Sequence, residues 1–81
     1  MNTYQLDDKV MDQKFLSGET VKCKAVIREQ ETDQYKAGTR IVVLLSTGKK
    51  YMGEVTDFTW QLQRGYAEGM LTLIRFPRLN K

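Results

Sequence analysis

Residues 21–28 read VKCKAVIR, in which Val21, Cys23, Ala25 and Ile27 alternate with Lys22, Lys24, Val26 and Arg28. Successive side chains leave a β-strand on opposite faces, so this period of two sends the first set into a core and the second into water. The strand therefore needs partners with an apolar face of their own. The chain has 81 residues, enough for one domain that removes roughly 60% of its unfolded surface from water. A single modest core must supply the stability. With one cysteine and no histidine, no internal disulfide can close, and zinc sites and nucleophile–base pairs lose their commonest partner. No metal, cofactor or catalytic centre is expected. The longest aliphatic run covers residues 41–45, far below the roughly 20 residues that cross a bilayer, and Asp7 and Asp8 stand where a signal peptide needs basic and then apolar residues. The expectation is a soluble, cytoplasmic protein without membrane contact.

The rest of the chain supplies the partners. Leu6, Val10, Met11 and Phe15 fall at helical spacing, with Asp7 or Asp8 available as N-cap and Gly18 as C-cap, which predicts a short amphipathic N-terminal helix. EQETDQ (29–34) has nothing to bury and reads as a loop. TRIVVLLS (39–46) reads as a strand apolar on both parities. STGK (46–49) makes a tight hairpin with Gly48 in a left-handed position. In the returning strand Tyr51, Gly53 and Val55 share one parity, yet the apolar side chains then jump to Phe58, Trp60 and Leu62, which predicts a bulge or sharp bend close to Asp57. QRGYAEG (63–69) reads as a turn, and MLTLIRF (70–76) as a last strand ended by Pro77. Residues 1–81 thus form one α+β, mainly β domain: a small SH3-like barrel of about five strands whose single short N-terminal helix covers an opening.

Charge is uneven along this chain. Residues 21–50 carry seven basic against three acidic side chains, whereas residues 1–20 carry two against four. Lys22, Lys24 and Arg28 project from one strand face, Lys36 follows the polar loop, and Lys49 and Lys50 sit at a hairpin tip, all suited to tracking phosphates. The plainer reading of such lysines is a protected strand edge. Among the aromatic residues, Phe58, Trp60 and Phe76 are expected in the core, while Tyr35 and Tyr66, in polar loops, are the candidates for stacking on bases. Cys23 lies between two lysines that would lower its pKa, but its parity sends it inward, away from them. Thr20, Lys22 or Lys24, and Glu54 form a hydroxyl, amine and carboxylate set whose convergence the sequence does not establish.

KFLSGET (14–20), KAVIR (24–28) and QYKAGTRIVVL (34–44) resemble the ASCH domain, a branch of the PUA-like barrels, over about residues 10–62. The spacing from Arg28 through Tyr35 and Lys36 to Gly38 carries most of the likeness. The chain departs from the pattern at Thr39, where the family usually has aspartate, in a longer 18–28 segment, and at Gly18-Glu19-Thr20 in place of Gly-x-Lys-Thr. The resemblance implies a PUA-like barrel with a groove between helix and sheet for RNA or a modified nucleoside, walled by Thr20, Lys22, Lys24 and Arg28. Family members that act as acetylcytidine amidohydrolases use threonine, lysine and glutamate, of which only Thr20 maps here. TRIVVLLSTGKKYMGEVTDF (39–58) is also similar to the first half of an Sm-like fold, but Arg64-Gly65 does not sit between strands as that signature requires.

The function expected is a small module that holds RNA or single-stranded nucleic acid through Thr20, Lys22, Lys24, Arg28, Tyr35, Lys36, Lys49 and Lys50. The alternative is a phage or mobile-element accessory protein that binds and inhibits a host protein, and a nucleoside amidohydrolase ranks below both. A groove left open by so short a helix leaves room for a homodimer.

Overall fold

In the computed structural model, which describes residues 2–79, the chain runs through β1 (Thr3–Gln5), α1 (Lys9–Leu16), β2 (Val21–Arg28), a 3-10 helix (Glu29–Tyr35), β3 (Arg40–Leu44), β4 (Lys50–Gln63) and β5 (Tyr66–Arg75). The strands form one sheet in the order β1-β3-β4-β5-β2, parallel between β1 and β3 and antiparallel elsewhere. The sheet curls into a half-barrel. Its end strands, β1 and β2, share no backbone ladder among the described residues. They meet instead where the Tyr4 hydroxyl donates to the Lys24 carbonyl at 2.6 Å.

The alternation in β2 is realised residue by residue. Val21, Cys23, Ala25 and Ile27 are buried while Lys22, Lys24, Val26 and Arg28 are exposed. Across the ladder Val21 and Cys23 oppose Leu73 and Leu71, and both join Phe15, Ile41, Val43 and Val55 in one core. Complete burial of a side chain the size of Phe15 contributes about 2–3 kcal/mol.

An eight-residue helix is unstable alone in water, so α1 must be held by its surroundings. The Asp8 carboxylate accepts from the Met11 N–H at 2.8 Å, and the Arg75 guanidinium donates to the last-turn carbonyl of Leu16 at 2.9 Å. Phe15 packs edge-on to Tyr51 with ring centroids 6.3 Å apart. The buried face differs from the one expected. Val10 is 66% exposed and Asp12 is buried, because the Asp12 carboxylate accepts from the Ser46 N–H at 3.1 Å and from the Ser46 hydroxyl.

The predicted bulge is present. Val55 opposes Leu73 but Asp57 opposes Thr72, so Thr56 is the extra residue, its hydroxyl donating to the Thr72 carbonyl at 3.3 Å. Beyond it Phe58, Trp60 and Leu62 return to the concave side of the sheet. The turn read over 63–69 shrinks to Arg64 and Gly65, with φ of 52° and 84°, a type I′ connection. Strands β4 and β5 consequently extend to Gln63 and Tyr66 as a long hairpin arm. The 29–34 loop is a 3-10 helix with no buried residue, and β1 is an additional strand. Phe58 and Phe76 are half-buried rather than core, and Trp60 is 40% exposed. Phe76 is roofed by the Arg40 guanidinium, 3.9 Å above its ring.

Candidate functional site

The outer face of β2 and β5 gathers the basic residues that the alternation exposes. Lys22, Lys24 and Arg28 point away from the core along one strand, a row that runs roughly 20 Å at strand rise. Across the ladder Lys22 opposes Thr72, Lys24 opposes Met70, Val26 opposes Glu68 and Arg28 opposes Tyr66. Met70 and Tyr66 are exposed. The row is thus flanked by a thioether and a phenol ring, both apolar surfaces able to lie against a planar ligand. Among the described residues none of the three cations meets a carboxylate within ion-pairing distance; the ion pair that does form joins Arg78 to Glu54 at 3.7 Å. Acidic side chains on this face are Glu68 on β5 and Asp57 on β4, so the most positive strip is the β2 edge itself.

Beside that strip lies the seam between the two end strands, a cleft of about 380 Å³ lined by Tyr4, Leu6, Asp7, Met11, Lys22 and Lys24 among others. Burial pushes the Tyr4 hydroxyl well above the ordinary tyrosine range, with Cys23 and Asp7 adding to the effect. Burial likewise pushes the Cys23 thiol up, outweighing the neighbouring Tyr4 hydroxyl, which acts in the opposite sense. Cys23 is therefore a neutral core thiol rather than a nucleophile, in line with its parity.

The other expected site residues are dispersed. Thr20 is exposed just before β2, in a recess with Met11, Lys14, Val21 and Lys22, so it adjoins the basic row. Lys49 and Lys50 sit at the start of β4, with β5 between them and β2 in the sheet; Lys49 instead faces a recess shared with Lys9 and Asp12 of α1. Lys36 is exposed between the 3-10 helix and β3. Tyr35 does not stand free in a loop. It is half-buried against Phe58, ring centroids 6.2 Å apart, and burial, helped by Glu31, raises its hydroxyl pKa. Tyr66 is a strand residue, 47% exposed. Met70 was not among the expected residues because only the ladder register puts it against Lys24.

The hydroxyl, amine and carboxylate set does not converge. Glu54 lies on β4 opposite Ile74 and pairs with Arg78, and the whole of β5 separates it from Lys22 and Lys24. Among the described residues no cluster of three His, Cys, Asp or Glu side chains is arranged to hold a metal ion. Among the described residues no helix is long and apolar enough to cross a membrane. Comparison of the chain with protein-family models, with curated proteins and with solved structures finds no match.

Proposed function

We propose that this domain binds single-stranded nucleic acid, RNA foremost, along the outer face of β2 and β5. The observation that carries the reading is the row of Lys22, Lys24 and Arg28, free of carboxylate partners among the described residues and flanked by exposed Met70 and Tyr66. The cations would neutralise successive phosphates while the side chains on β5 receive bases or sugars. Glu68 and Asp57 repel a phosphate backbone from the middle of the sheet and hold it to the β2 side. Thr20 and the adjacent seam extend the path toward α1. We also read the half-barrel as PUA-like, on the sequence spacing from Arg28 through Tyr35 and Lys36 to Gly38.

Anisotropy of a labelled single-stranded RNA, titrated at several salt concentrations, tests this. Three phosphate contacts at about 0.7 released counterions each give a log–log slope near −2, a loss of roughly 20-fold between about 50 and 200 mM salt. The Lys22→Ala, Lys24→Ala double variant leaves one contact, a slope near −0.7 and a roughly threefold loss over the same interval. Absence of binding at low salt, or a slope that the double variant leaves unchanged, overturns the proposal.

A further inference from the structure

The sheet has three stretches of unpaired backbone, and they are protected very differently. The β2 edge carries Lys22, Lys24 and Arg28, and β1 is only three residues long; charge and brevity are two common ways of keeping an edge from pairing with another chain. The third stretch is the outer edge of β4 beyond the bulge. Strand β3 accompanies β4 only from Lys50 to Glu54, and Val55 makes the last backbone bonds on that side, donating to Thr39 and accepting from Gly38. Residues 57–63, DFTWQLQ, then continue with β5 on one side and no backbone partner on the other among the described residues.

Which groups face that open side follows from the hairpin. Gln63 and Tyr66 flank a two-residue turn, a position where the flanking pair exchanges hydrogen bonds. Gln63, Gln61, Thr59 and Asp57 therefore bond to β5. Phe58, Trp60 and Leu62 turn their N–H and C=O groups outward, on the same side as the observed bonds of Val55. This edge holds no lysine, arginine or proline, its one charge is Asp57 at the far end, and its Trp60 and Leu62 side chains are 40% and 53% exposed.

We infer that the β4 edge pairs antiparallel with the same edge of a second copy of this chain, about a two-fold axis at Trp60. The register is self-complementary. Trp60 opposes Trp60, Phe58 opposes Leu62, Thr59 opposes Gln61 and Asp57 opposes Gln63, so apolar residues meet on the concave face, polar residues meet on the convex face, and no like charges face each other. Phe58, Trp60 and Leu62 are also the residues whose backbone groups are free, so each apolar pair is a hydrogen-bonded one. The length fits as well: in this register the paired stretch ends where Asp57 meets the partner's Gln63, before Val55, whose edge Gly38 and Thr39 already fill. The alternative registers place Arg64 against Phe58 or shift the apolar pairs off the axis. The β2 edge cannot do the same, because antiparallel self-pairing there brings Lys22 and Lys24 against the partner's Arg28 and Val26.

A contact running roughly 23 Å along the edge of one strand pair covers well under the roughly 800 Å² per partner of a standard interface. The dimer is therefore expected to be reversible, with a dissociation constant in the micromolar range. Trp60 is the single tryptophan of the chain, so its emission reports directly on the axis. Sedimentation of the intact protein from about 1 μM to 1 mM is expected to show a monomer–dimer equilibrium, with the tryptophan emission shifting to the blue in step with the dimer. In Thr59→Lys, Gln61→Lys the exposed polar pairs become lysine against lysine, and the protein stays monomeric with its circular dichroism and melting temperature retained. The Thr59→Glu, Gln61→Glu counterpart is also monomeric alone, and an equimolar mixture of the two forms heterodimers. Wild-type protein that stays monomeric throughout, a lysine variant that dimerises like the wild type, a folded mixture that fails to pair, or assembly beyond the dimer each overturns the inference.

Discussion

Removing the Asp12 carboxylate tests what holds α1 to the sheet. Asp12 is 4% exposed and accepts from both the N–H and the hydroxyl of Ser46 in the β3–β4 turn, the polar link between a helix too short to persist alone and the hairpin beneath it. Hydrogen bonds to a charged acceptor contribute about 1.5–3 kcal/mol each when buried. Ser46 is exposed, so water replaces part of the loss, and Asp12→Ala is expected to cost about 3 kcal/mol including the void it leaves. At about 4–8 °C per kcal/mol for a domain of this size, the melting temperature falls by roughly 12–24 °C. Asp12→Asn keeps the shape and both hydrogen-bonding contacts without the charge and costs about 1 kcal/mol. Ser46→Ala removes the hydroxyl alone, at about 1 kcal/mol, and combined with Asp12→Ala it adds little, which gives a coupling energy near 1 kcal/mol. Thermal and urea unfolding of the four proteins supply the cycle, and hydrogen exchange supplies its location, with amides of α1 opening first in Asp12→Ala. An Asp12→Ala protein that melts within a few degrees of wild type, or a coupling energy of zero, refutes the view that this contact docks the helix.

Two further measurements address other parts of the molecule. The Cys23 thiol and the Tyr4 hydroxyl both hold their protons more tightly in the folded state, through burial, so the stability they contribute is fully present below the ordinary cysteine range and declines as pH rises above about 8.5. The melting temperature is expected to drop on that alkaline limb, and in Cys23→Ala the drop should begin later, toward the tyrosine range near about pH 10; superimposable profiles would exclude the thiol. Arg64 occupies a left-handed position at φ 52° that asparagine tolerates far better, so Arg64→Asn should raise stability by about 0.5–1 kcal/mol in urea titration, and a lower midpoint would contradict the type I′ assignment.

The parts of this fold that were legible in the sequence are those decided by neighbours along the chain. The period of two in β2 gave the inward path of Cys23 and the outward row of Lys22, Lys24 and Arg28, and the parity jump after Val55 located the bulge to within a residue. What was not legible depends on distant partners. Strand β1 is three residues long and pairs in parallel with β3 some forty positions away, a distance at which no local pattern registers. Asp12 displaced Val10 from the buried face because its partner is Ser46 in another element. Five of the seven residues read as a turn resolved into strand because a type I′ turn needs only Arg64 and Gly65, and polar residues on the convex face of an arm look like a loop in sequence. The site divides the same way: the row on β2 needed only alternation, whereas the neighbourhood of Met70 and Tyr66 and the remoteness of Lys49 and Lys50 are properties of register and strand order.

The extra residue at Thr56 acts on the arm as a phase shift acts on a wave. Before it, one parity of β4 faces the core; after it, the other does, so Phe58, Trp60 and Leu62 line the concave face only because of how many residues separate them from Val55. Which surface of the arm is aromatic and which is polar is thus encoded in a count, not in a composition. A β4 strand of the same sequence that ran through Thr56 without the bulge would present its aromatic stripe beside the basic row instead of opposite to it. For this architecture, spacing across the bulge is a better guide to a shared binding surface than percentage identity along the arm.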